Sequence, residues 1–280
     1  MATAKLARLT TVVVLALVVV ACGSANQAVA PPATTSTDET TPTHETTSTP
    51  PAVPAACGDE QTMWLPDPTG GRLSASSTGS GPVAAVFLHE IGHAGRCGFW
   101  PYAQWLAARD HVQAVLVDRC GNGESTCAPG PQGDAGISSE TKPAIDWATS
   151  HGATRVVLVG ASGGGGDALE AAAILPVDAL VDISGDGNDT GADDSADAAR
   201  DRVPSLFAVA PGDPYVSVPD VAALFAKVPV AAKRCEVVTT QPAVHGWDLL
   251  ADAAGDATPF GQEVAEWIQG RYARSAACRT

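Results

Sequence analysis

From residue 83 onward, short apolar runs alternate with segments whose apolar residues recur every three or four positions. The runs 83-VAAVFL-88, 112-VQAVLVD-118, 155-RVVLVG-160, 179-ALVDIS-184, 205-SLFAVA-210 and 235-CEVVTT-240 predict strands. Each is too short for a helix and too continuously apolar for a half-exposed strand. Between them, helical spacing predicts helices over 99–110, 138–150, 166–175, 218–227 and 258–275. The segment 61-QTMWLPDPTGGRLSASSTGSG-81 predicts an initial antiparallel hairpin, turning at Thr69-Gly70-Gly71. Residues 185–204 predict a polar, acidic linker. Strands buried on both faces and alternating with helices imply an α/β domain with a mostly parallel, doubly wound sheet and helices on both faces. In such sheets, chemistry gathers where strands end.

The residues before 57 break this pattern. Lys5 and Arg8 precede the apolar stretch 9–20, which is too short to span a bilayer comfortably and reads as an export signal. It ends in 19-VVAC-22, which resembles a bacterial lipobox. That resemblance implies a signal peptide over 1–21, cleavage before Cys22 and a lipid on its thiol. The expected location is extracytoplasmic, with the protein held on the membrane through its N-terminal lipid. Residues 22–56 are rich in Thr, Pro, Ala and Ser, with no aromatic residue, and predict a disordered tether. Residues 57–280 form the expected globular domain.

Composition adds two constraints. The formal charge is −15 for the whole chain and −17 once the signal and its two basic residues are removed. This acidity argues against nucleic-acid binding. Six cysteines remain beyond Cys22: Cys57, Cys97, Cys120, Cys127, Cys235 and Cys278. An even number in an exported domain points to three disulfides, with Cys120–Cys127, Cys57–Cys97 and Cys235–Cys278 as the expected set among fifteen possible pairings. No C-x-x-C occurs to support a zinc site.

One pentapeptide does suggest a metal. In 89-HEIGH-93, His89 and His93 would share a helix face with Glu90 as general base, as in zinc peptidases. The segment follows an apolar strand, however, so a loop is expected instead. A metzincin would also need a glycine at 96, a histidine at 99 and a later Met-turn. The chain has Arg96 and Phe99, and its only methionines are Met1 and Met63. No metal or other cofactor is expected.

The stretch 160-GASGG-164 offers different chemistry. G-x-S-x-G between a strand and a helix forms a tight turn that lifts Ser162 Oγ above the sheet and leaves the Gly163 N–H free at a helix N-terminus. Together with 86-VFLHEIG-92, 114-AVLVDRCGNGES-125, 211-PGDPYVSV-218 and 244-VHGWDLL-250, it resembles the α/β-hydrolase family over essentially all of 61–275. The resemblance implies an α/β-hydrolase fold with a sheet of about eight strands. It also implies Ser162 as nucleophile, His245 as base and Asp213 as the acid orienting it, in the family's chain order. Asp186 and Asp220 are the alternative acids. Glu90 stands where a glycine is usual, and Cys120 where an arginine would fall. The second oxyanion donor, beside Gly163, is therefore expected to be the Ile91 N–H, with Glu90 the neighbouring option. A Q-E-I segment at this place gives a distant similarity to the dienelactone-hydrolase branch. With 185–204 as the whole connection after the sixth strand, no large cap domain is expected. The expected activity is hydrolysis of small-molecule acyl esters by a monomeric serine hydrolase. A non-catalytic binding lipoprotein on the same fold, and a zinc peptidase built on HEIGH, are the alternatives.

Overall fold

The computed structural model describes residues 62–67, 70–92, 95–126, 136–185, 194–272 and 276–278. The signal, Cys22, the tether, Cys57, His93, Cys127 and Asp186 lie outside the described residues.

Eight strands form one sheet: β1 (Met63–Pro66), β2 (Arg72–Thr78), β3 (Val83–Leu88), β4 (Val112–Val117), β5 (Arg155–Ala161), β6 (Ala179–Ile183), β7 (Ser205–Val209) and β8 (Lys233–Val237). Their order across the sheet is β1-β2-β4-β3-β5-β6-β7-β8. The β1–β2 and β2–β4 pairings are antiparallel, and all the others are parallel. The helices are α1 (Trp100–Asp110), α2 (Ile137–Ser150), α3 (Gly163–Ile174), α4 (Asp194–Arg200), α5 (Val218–Lys227) and α6 (Pro259–Ile268).

The apolar runs follow from burial on both sides. Val86, Leu88 and Leu158 face a core shared with α2, α3 and α5, including Ile145, Leu169 and Leu224. Phe87, Val157 and Val159 face a second core with α1 and α6, including Tyr102, Leu106, Phe260 and Val264. Each strand therefore carries apolar residues at consecutive positions, because both of its faces are dry.

Four expectations change. The linker over 185–204 contains a helix, α4, which hydrophobic spacing misses because Asp194 and Asp197 are buried along with Ala198. Helix α3 begins at Gly163 rather than 166. Strand β8 begins at Lys233 and ends at Val237, so its first turn of pairing uses charged, half-buried residues. Helix α6 ends at Ile268 rather than 275. Gly270 adopts φ 79°, and Arg155 Nε donates to the Ile268 carbonyl at 3.0 Å, closing the helix end. Only 184–204 connect β6 to β7, and no large cap domain is present among the described residues.

A buried ion pair fixes the loops beside β2 and β4. Arg96, in the 3-10 turn Gly95–Phe99, pairs with Asp118, and both are almost fully buried. The Arg96 backbone N–H donates to Asp118 Oδ1 at 2.8 Å, and its guanidinium also donates to Ser74 Oγ and Ser76 Oγ. Ser74 Oγ donates to Asp118 Oδ2 at 2.8 Å. Removing one partner strands the other charge without solvent. Arg96→Met is expected to cost about 3–5 kcal/mol of stability and to lower the melting temperature by on the order of 10 °C. Differential scanning calorimetry checks this, and an unchanged melting temperature would show that Asp118 finds another partner.

Cys235 and Cys278 form a disulfide with Cα atoms 4.8 Å apart. It lays the tail along the outer side of β8, where the Cys235 N–H donates to the Ala276 carbonyl at 2.9 Å and Arg234 bridges Ala276 in parallel register. Cys97 and Cys120 are also disulfide-bonded. Their expected partners, Cys57 and Cys127, lie outside the described residues.

Candidate active site

Ser162 sits between the end of β5 and the start of α3, at φ 52° and ψ −126°. A side chain at that angle costs on the order of 1–3 kcal/mol. The neighbours enforce it. The Ser162 N–H donates to the Ile183 carbonyl at 2.8 Å, and the Gly165 N–H donates to the Ser162 carbonyl at 2.7 Å. The helix must start directly beneath the β3 end: a Cβ at Gly164 would collide with the carbonyl oxygens of Leu88 and His89. Poor helix formers therefore open α3 because the backbone crossing demands them. Ser162 is half-buried, so the turn leaves it reachable from solvent.

Asp213 and His245 meet across the ends of β7 and β8. His245 Nδ1 lies 2.9 Å from both Asp213 carboxylate oxygens. The Asp213 side chain has no exposed surface, whereas that of His245 keeps 13 %. Asp213 Oδ1 also accepts the N–H groups of Tyr215 (2.9 Å) and Val216 (3.1 Å), and Oδ2 accepts the Ser184 hydroxyl at 2.8 Å. A carboxylate held by this many donors orients the imidazole and fixes its Nδ1–H tautomer, leaving Nε2 as the acceptor. No hydrogen bond joins Ser162 Oγ to His245 among the described residues. Contacts of this type tighten when substrate arrives. Of the alternative acids, Asp220 is exposed at the start of α5, where Ser217 caps it, and Asp186 lies outside the described residues.

Two side chains hold the histidine loop from other strands. Ser184, after β6, is fully buried at φ 56°. While donating to Asp213, its hydroxyl accepts the Gly246 N–H at 3.2 Å. Nothing in the sequence distinguishes this serine, and only the strand-end position hints at it. Glu90, after β3, accepts the Trp247 N–H through Oε1 at 2.8 Å. Burial raises the Glu90 carboxyl to about 7 against the opposing pulls of the Trp247 N–H and His245. Burial likewise raises Asp248, next to Trp247.

The HEIGH segment is not helical where it is described. His89 is completely buried. Its Nε2 accepts the Arg119 N–H at 3.1 Å, so Nδ1 carries the proton and donates to the Glu90 carbonyl at 2.6 Å. Burial lowers the His89 pKa and favours this neutral ring. Both nitrogens are thus committed to the backbone, and the residue packs the turn rather than presenting a ligand. Arg119 in turn pairs with buried Asp167 of α3, whose carboxyl burial raises to about 6. Cys120, where the family would place an arginine, offers its N–H to Glu140 at 2.5 Å. The cation paired with Asp118 comes instead from Arg96, an exchange between loops that sequence spacing does not reveal.

The two residues expected to supply the oxyanion donors are in contact. The Ile91 side chain lies directly over Gly163, close enough that a Cβ there would stand 2.9 Å from Ile91 Cγ1. Among the described residues neither the Gly163 nor the Ile91 N–H is taken by a hydrogen bond. Two large apolar residues stand exposed around this point: Ile91 is 58 % and Tyr215 76 % accessible. The Tyr215 ring meets the His245 ring edge-on at 4.8 Å.

No family model matches the chain, and no curated protein matches it in sequence. Solved structures do share its architecture. An esterase from Pyrococcus furiosus superposes with a TM-score of 0.62 at 14 % identity, covering 76 % of this chain and 93 % of its own. An esterase from Exiguobacterium antarcticum gives 0.57 at 14 % identity, covering 75 % and 100 %. A lidless serine hydrolase from Xanthomonas campestris gives 0.51 at 18 % identity, covering 64 % and 83 %. The likeness is one of fold, and this chain has the α/β-hydrolase fold.

Proposed function

We propose that the protein is an extracytoplasmic serine hydrolase, tethered to the bacterial membrane by a lipid on Cys22, that cleaves small carboxylic esters through an acyl-enzyme on Ser162. The observation that carries this reading is the buried Asp213 carboxylate 2.9 Å from His245 Nδ1, at strand ends beside a serine in a strained turn. In the reaction, His245 Nε2 takes the Ser162 proton as Oγ attacks the ester carbonyl. The oxyanion lies between the Gly163 and Ile91 N–H groups. Collapse breaks the ester bond, and His245 returns the proton to the departing alcohol. Water then repeats the sequence on the acyl-enzyme, giving the carboxylic acid and free serine. The exposed Ile91 and Tyr215 favour short or medium acyl esters over long chains that need a lid. The lipobox-like 19-VVAC-22 supports the anchor.

One experiment addresses both parts. A fluorophosphonate probe applied to cells is expected to label the membrane-bound protein on the peptide containing Ser162. In Cys22→Ser the labelled protein moves to the soluble fraction. Failure of the probe to modify Ser162 sinks the hydrolase reading. Membrane retention of Cys22→Ser sinks the anchor.

A further inference from the structure

Two consecutive amides after His245 are gripped by side chains from other loops. The first, Gly246, is held by Ser184, which also holds Asp213. The second, Trp247, is held by Glu90, a residue 157 positions away in the chain. The Glu90 end is rigid, because the buried His89 ring pins the Glu90 carbonyl and the Arg119 amide to one another. The Trp247 end is also packed, its ring meeting the Phe99 ring at 5.6 Å. Gly246 itself takes φ 55°, and a Cβ there would strike the Glu90 carboxylate, so the acid lies directly against the histidine loop.

We propose that Glu90 is a positioning residue for His245, a strut that fixes the histidine loop to the turn carrying the Ile91 N–H. The inference rests on the hydrolase reading for its catalytic consequence. The strut joins the element that moves the proton to the element beside the developing oxyanion, so the distance between base and oxyanion donor is set by one carboxylate. The titratable groups facing Glu90 are His245, Asp248 and Asp213, with no lysine or arginine among them. His89, its chain neighbour, accepts the Arg119 N–H at Nε2, and burial lowers its pKa. An ionised Glu90 therefore acts on the nearby imidazole as a second negative charge and favours the imidazolium that forms when His245 takes the serine proton. Because burial raises the Glu90 carboxyl to about 7, this help is present above neutrality and lost as the pH falls through that value.

The test compares wild type, Glu90→Gln and Glu90→Ala on a short acyl ester from about pH 5 to about pH 9. It adds hydrogen exchange at the Trp247 amide. Alanine removes acceptor and charge. It is expected to lower kcat about tenfold or more, with KM within about twofold, and to expose the Trp247 amide to exchange. Glutamine keeps the acceptor and loses the charge. It should keep Trp247 protected, match wild-type kcat below about pH 7, where Glu90 is itself protonated, and fall short of it above. The ratio of wild-type to Glu90→Gln kcat should therefore be near one at acid pH and rise at alkaline pH. Glutamine is nearly isosteric, so it carries the test if the alanine variant does not fold. The strut is overturned if Glu90→Ala retains wild-type kcat and wild-type Trp247 protection. The electrostatic role is overturned if the ratio of wild-type to Glu90→Gln kcat is the same at every pH. An absence of ester turnover in the wild type would strike the hydrolase reading alone, since exchange at the Trp247 amide still decides the strut.

Discussion

Ser162→Ala is expected to lower kcat on a short acyl ester by about 10⁶ while leaving the melting temperature near that of the wild type or above it. The size follows from the role. Without Oγ there is no acyl-enzyme, and His245, with Asp213 behind it, has no hydroxyl to activate. In the proposed mechanism the remaining N–H groups at Gly163 and Ile91 still polarise a bound carbonyl, so turnover does not fall to the solution rate. Stability moves the other way, because alanine removes a hydroxyl that makes no hydrogen bond among the described residues. The left-handed backbone at φ 52° stays strained in either case. Steady-state kinetics on purified protein check the rate, with an active-site titrant to exclude contaminating esterase. Retention of more than about a hundredth of wild-type kcat would move the nucleophile elsewhere.

Asp213→Asn is expected to cost about 10⁴ in kcat. Asp213 receives donors from every side: the Tyr215 and Val216 amides on Oδ1, the Ser184 hydroxyl on Oδ2, and His245 Nδ1 on both. An asparagine must turn its amide nitrogen toward one of these donors. With the Tyr215 and Val216 amides holding the carbonyl oxygen in the place of Oδ1, the nitrogen takes the place of Oδ2 and faces His245 Nδ1 and the Ser184 hydroxyl. Nδ1 then becomes an acceptor, the proton moves to Nε2, and the ring can no longer take the Ser162 proton. The control is Asp220→Asn. That residue is exposed and hydrogen-bonds locally with Ser217, so kcat should stay within about twofold of wild type. A large loss in the control with little loss at Asp213 would reverse the assignment.

The legible parts of the chain are those where local chemistry and burial agree. Strands β3 to β7 could be read because both of their faces are dry and their residues are therefore continuously apolar. The elbow at Ser162 could be read because a strand, small residues and a helix stand in one short stretch. Helix α4 hides its buried face behind Asp194 and Asp197, which satisfy themselves within the fold rather than by hydrophobicity. Strand β8 begins with Lys233 and Arg234, whose charges conceal pairing with Ser205 and Leu206. Within the site, Asp213 and His245 follow their strands directly and announce themselves by position. Ser184 and the Glu90–Trp247 contact depend on loops brought together only by the sheet order. The HEIGH segment shows the opposite hazard. Its residue types advertise a metal, but the strand before it ends in a turn, and His89 spends both nitrogens on the backbone.

The disulfide between Cys235 and Cys278 has a consequence beyond holding two residues together. In an open sheet the outermost strand carries a row of free N–H and C=O groups, the template on which chains add to one another. Here the tail runs along that rim, and Ala276 takes the Cys235 N–H. The cross-link keeps this covering strip in register with the strand it shields. The seal is a safeguard against edge-to-edge polymerisation.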